Sequence, residues 1–140
     1  MKSRIILTAV LLSLVAVSCA HNLSKNKYLQ PNGVEILCFH TSQRCATCRA
    51  IESLAQQVAA EFADQQDSGK LRLKVIDIST LEGEQLADRY EVASTSIVIT
   101  QWFDGVERFE NITPLAFKTA RTSPEVFVKE LQTRVEELLK

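Results

Sequence analysis

The chain has 140 residues, with 16 Lys and Arg against 17 Asp and Glu, a net charge of −1 and 46% hydrophobic residues. That length suits one domain with its own core. The near-neutral balance, with no Lys/Arg cluster forming a stripe, argues against a nucleic-acid partner. There are no repeats or low-complexity tracts.

Lys2 and Arg4 form a short basic region, and residues 5–17 are uncharged and apolar apart from the hydroxyls of Thr8 and Ser13. The run falls short of the roughly 20 residues that a membrane span needs, and it matches an export signal. Its end, Val15-Ala16-Val17-Ser18-Cys19, resembles a bacterial lipoprotein signal, although Ala16 stands where leucine is more typical. The resemblance implies removal of residues 1–18, lipid on Cys19 and a membrane-anchored lipoprotein in the cell envelope, facing the periplasm. An ordinary cleaved signal and an uncleaved anchor are the rival readings. Residues 19–33 read as a lipidated N-terminus and tether, since they are mostly polar and aperiodic.

Residues 34–140 form the expected domain. Residues 34–40 read as a buried strand, and apolar positions at helical spacing predict a helix over 45–66, stopped by Ser68-Gly69. Residues 71–78 alternate and then turn apolar, as a strand becoming central does. A short helix follows over 82–90, then a strong β-branched and aromatic strand over 96–103. Asp104-Gly105 is a two-residue hairpin signal leading into a strand over 106–110. Residues 111–122, with Pro114, read as a loop. Ser123-Pro124-Glu125 opens a last helix with a serine cap, and Phe127, Leu131, Val135 and Leu138 share one of its faces. The order predicts two βαβ crossovers making a parallel sheet, with an antiparallel hairpin at its edge.

The chemistry concentrates in Arg44-Cys45-Ala46-Thr47-Cys48-Arg49, where a strand feeds two thiols onto the first turn of a helix. Free N–H groups and the positive end of the helix dipole stabilise a thiolate there. Cysteines at i and i+3 share a helix face, within disulfide reach. A zinc site lacks its second ligand pair: the histidines are His21 and His40, so Cys38 and His40 would have to be recruited from the strand. The bland alternative is a pair of small buried thiols packed as hydrophobes. With Cys19 committed to lipid, Cys38, Cys45 and Cys48 remain. An odd count outside the cytoplasm leaves one unpaired, and the natural pair is Cys45–Cys48.

This order of elements, with CxxC at the end of the first strand, resembles the thioredoxin superfamily over residues 34–140. The resemblance implies an α/β, thioredoxin-like fold with a mixed central sheet flanked by helices. It implies that Cys45 is the exposed nucleophile and Cys48 the buried resolving thiol. Arg44 and Arg49 either favour thiolate at Cys45 or simply form a solvated helix start. Three departures qualify the likeness. The usual Trp-Cys-Gly-Pro-Cys is Arg44-Cys45-Ala46-Thr47-Cys48 here, and the inner dipeptide tunes the potential. The buried aspartate of the first strand is replaced by Cys38 or Phe39, which leaves His40 as a candidate proton carrier or merely a packed residue. Ser96, in the stretch with Thr95, occupies the place of a cis-proline, so the site is more open to water, a metal ion or a thiol ligand.

The expected function is therefore an exported, membrane-tethered thiol–disulfide oxidoreductase acting on a protein or small-molecule thiol or disulfide. It needs no cofactor and no resident metal. A reductive role requires electrons from a membrane donor, because the periplasm is kept oxidising. The alternative is a thioredoxin-fold binding protein that holds a soft metal or metalloid on Cys45, Cys48 and Cys38. A third reading is a scaffold whose CxxC forms a structural disulfide only.

Overall fold

The computed structural model describes residues 31–140. The expected signal at 1–18, the lipidated Cys19 and all but the last three residues of the tether lie outside the described residues. Strand β1 (Gly33–His40) starts one residue inside the expected tether. Its six inner residues are all buried, as a strand covered on both faces requires.

Helix α1 (Ala46–Glu61) and the short α2 (Ala63–Asp67) replace the single helix expected over 45–66. The break falls at Phe62, whose φ of −105° and ψ of 40° leave the helical region. Its ring packs against the core, so burial overrides helix continuity there. The Gln66 side-chain amide donates to the Ala59 carbonyl at 2.6 Å and satisfies an acceptor near the helix end.

Strand β2 (Leu71–Asp77) runs parallel to β1, with Val34 opposite Leu71 and His40 opposite Asp77. The sequence reads it as becoming central, but the sheet order β2-β1-β3-β4 puts it at an edge. Only Leu71 and Ile76 are buried, while Val75 is exposed. An apolar run cannot distinguish a strand covered along its length from one covered at two positions.

Helix α3 (Leu81–Arg89) is capped by Thr80, whose Oγ1 accepts from the Gly83 N–H at 3.1 Å. Strand β3 (Ser96–Phe103) then pairs antiparallel with β1, from Gly33–Trp102 to Phe39–Ser96. The second expected parallel crossover is therefore absent. An apolar, β-branched run such as Ser96–Phe103 pairs in either direction, so its composition predicts a strand without predicting its orientation. The chain re-enters the sheet at the end where β2 leaves it.

Asp104 and Gly105, at φ of 50° and 77°, turn β3 into β4 (Val106–Asn111), with both turn residues in the left-handed region as a type I′ hairpin needs. The expected loop at 111–122 contains helix α4 (Thr113–Thr119). Asn111 Oδ1 accepts from the Thr113 N–H at 3.0 Å, and Ala116 and Thr119 are buried. Helix α5 (Pro124–Leu138) starts where expected with proline in its first turn, but Ser123 makes no side-chain cap bond.

Helices α1, α4 and α5 cover one face of the sheet, where Ile36, Cys38, Ile97 and Ile99 meet Ile51, Val58, Phe127, Leu131 and Val135. Helix α3 covers part of the other face, over Leu37, Phe39 and Val98. Phe127, Leu131 and Val135 are fully buried, as the α5 spacing predicts, and Leu138 packs at the margin.

Candidate functional site

Strand β1 ends at His40, and five residues later the chain starts α1 with Cys45 as its N-cap. Cys45 sits in extended backbone, φ −70° and ψ 165°, and is exposed. Cys48, one turn into the helix, is buried. The two form a disulfide across a Cα separation of 5.0 Å. The sulfur of Cys45 also accepts the Cys48 backbone N–H at 3.0 Å, so this sulfur is the helix cap. No acidic residue lies in the first turn of α1. The N–H groups and dipole of that turn thus act on Cys45 without an opposing carboxylate in the turn itself.

Two arginines lash this turn together. Arg49 Nη1 donates to the Arg44 carbonyl at 2.6 Å. The Arg44 guanidinium forms an ion pair with Glu52, one turn beyond Cys48 on α1. Glu52 escaped the reading of the sequence, although the spacing of four between Cys48 and Glu52 places both on one helix face. Its partner, eight residues away, depends on how the chain enters the helix.

The other candidate residues gather at the same end of the sheet. His40 faces Asp77 across the β1–β2 pairing, and Ser96 faces Phe39 across β1–β3. His40 Nδ1 donates to the Thr41 carbonyl at 3.1 Å, which assigns the proton to that nitrogen. Two hydrogen bonds from Ser79 hold the Asp77 carboxyl below its usual range, with His40 and Arg44 adding to the effect. Ser96 is buried, and its hydroxyl donates to the Ser94 carbonyl at 3.1 Å. Thr95 is also buried, and no peptide bond among the described residues is cis. A shallow cavity beside Ser96 is walled by Val92, Ala93, Thr113, Pro114 and Phe117.

Cys38 lies beneath the site in the α1 face of the sheet, 4% exposed and without a disulfide partner. Burial pushes its thiol up to about 12, with Glu52 raising it further and Arg44 opposing. It is neutral at physiological pH. Among the described residues no group of three or more His, Cys, Asp or Glu is placed to hold a metal ion.

A crystal structure of ERdj5 (form I) superposes with a TM-score of 0.51 at 15% identity, over 80% of this chain and 13% of that one. The fold is thioredoxin-like. A solution structure of a thioredoxin from Thermus thermophilus reaches 0.49 at 19% identity, covering 72% of each chain. This chain thus spans only a small part of the length of ERdj5. No family model matches the sequence, and no curated protein does.

Proposed function

We propose that this chain is an exported, membrane-tethered thiol–disulfide oxidoreductase acting through Cys45 and Cys48. One observation carries the reading: an exposed sulfur at a helix N-terminus is bonded to a buried one a turn away. In the reducing direction the Cys45 thiolate attacks a substrate disulfide and expels one substrate thiolate, leaving a mixed disulfide. Cys48 then attacks Cys45 Sγ, the bond to the substrate breaks, and the second substrate sulfur leaves. Two electrons pass from the dithiol to the substrate, and its two sulfurs take up the protons that Cys45 and Cys48 lose. Run backwards, the same steps oxidise a substrate dithiol.

The basic and apolar start of the chain and Cys19 support export and lipid anchoring. Reduction in the cell envelope then requires a membrane electron donor. The soft-metal reading has less support, because Cys38 is buried and neutral and makes a poor third thiolate.

The test is insulin-disulfide reduction by the full chain in detergent. Activity lost in both Cys45→Ser and Cys48→Ser supports the reading. An inactive wild type that binds copper(I) or arsenite one-to-one overturns it in favour of metal holding. Radiolabelled palmitate incorporated by wild type and not by Cys19→Ser tests the anchor; equal labelling of the two removes it.

A further inference from the structure

The ion pair between Arg44 and Glu52 brackets the dithiol. Arg44 precedes Cys45 directly, and Glu52 follows Cys48 by one helical turn on the same face. Both side chains are partly withdrawn from water, with 32% and 19% of their surface exposed, so their charges are screened less than those of a surface pair. The only other contact of the Glu52 carboxylate with a side chain is a long bond from Gln56 at 3.4 Å, among the described residues. Cys38, Arg49, His40 and Asp77 are further charged or titratable groups at this end of the sheet. Arg49 is bound to the Arg44 carbonyl, His40 to the Thr41 carbonyl, and Asp77 to Ser79.

We infer that Glu52 is a positioning residue that sets the redox poise of the Cys45–Cys48 pair, by offsetting the Arg44 charge and by placing a negative charge one helical turn beyond Cys48. This rests on the oxidoreductase reading. At Cys38, where burial is the main cause of the raised pKa, Glu52 adds to the rise and Arg44 opposes it. A thiolate at Cys45 sits in the same field. Without Glu52, the Arg44 charge acts unopposed and stabilises the thiolate, and with it the reduced form. Without Arg44, the Glu52 charge acts alone and stabilises the disulfide. The exchange that reads this out is Cys45–Cys48 disulfide plus two glutathione thiols giving the dithiol plus glutathione disulfide. Two electrons move to the protein sulfurs. The two glutathione protons go to those sulfurs, or to solvent when Cys45 stays a thiolate.

The experiment equilibrates the full-length protein with reduced and oxidised glutathione at pH 7. It compares wild type, Glu52→Gln, Arg44→Gln and the double variant. Iodoacetamide alkylation of Cys45 at pH 6 is followed in parallel. Glu52→Gln should shift the equilibrium about tenfold toward dithiol, or about 30 mV, and should speed alkylation. Arg44→Gln should shift both readouts the other way, and the double variant should return close to wild type. Removal of a merely structural clamp would move the two single variants in the same direction, and that outcome overturns the inference. So does an equilibrium that none of the variants moves. A wild-type pair that glutathione never oxidises or reduces overturns the oxidoreductase reading itself, and the inference with it.

Discussion

The backbone N–H of Cys48 donates to the sulfur of Cys45 at 3.0 Å, so one atom serves both as N-cap of α1 and as half of the disulfide. Cap and chemistry can be separated by substitution. Cys45→Ser and Cys45→Ala both abolish the disulfide, but serine keeps a cap acceptor and alanine does not. Cys45→Ala should be less stable than Cys45→Ser by about 1 kcal/mol. Urea unfolding of both variants under reducing conditions measures the difference. Equal stability would mean that an acceptor at position 45 does not cap the helix.

Cys38 should behave as a core residue. With its thiol at about 12 and almost no exposed surface, it stays unmodified when the reduced native protein is treated with iodoacetamide at pH 8. It reacts once urea unfolds the chain. Cys38→Ala should cost about 1 kcal/mol and leave insulin reduction intact. Peptide mass spectrometry showing native alkylation at Cys38 would contradict this.

On the α3 face of the sheet, Glu35 is buried against Arg72 at 2.9 Å and Lys74 at 2.8 Å. Burial works against its charge, but the hydrogen bonds from Lys74 and Arg72 prevail and hold the carboxyl below its ordinary 4.5. Its contribution to stability is therefore complete above that ordinary value and is lost as pH falls through the lower folded one. At pH 7, Glu35→Gln should cost about 2 kcal/mol, less than a fully buried pair because the Lys74 side chain is 44% exposed. The deficit should shrink below pH 4. Chemical denaturation from pH 3 to 7 checks it, and a deficit independent of pH would contradict the ionic account.

What the sequence made legible was set by local signals. The Asp104-Gly105 hairpin, the proline start of α5 and the CxxC at a strand-to-helix junction each depend on a few adjacent residues. Sheet order does not: the apolar end of β2 reads the same at an edge as in the centre. The direction of β3 is not set locally either, because a β-branched run pairs in both orientations. Helix α4 was hidden because a seven-residue helix begun by Thr113 and Pro114 has too few turns to show a period. At the site, the cysteines were visible from spacing and Glu52 was not. Nothing in a list of residues says that Arg44 would turn back along the helix instead of facing solvent.

Strand β1 joins two ends of the molecule with different duties. The described chain enters it at Gly33, and the loop that carries Cys45 leaves it at His40, about 23 Å further on. Whatever holds the segment before Gly33 grips the domain at the pole opposite the sulfurs. Under the proposed anchoring, attachment at that end would leave the sulfur end of the sheet facing outward.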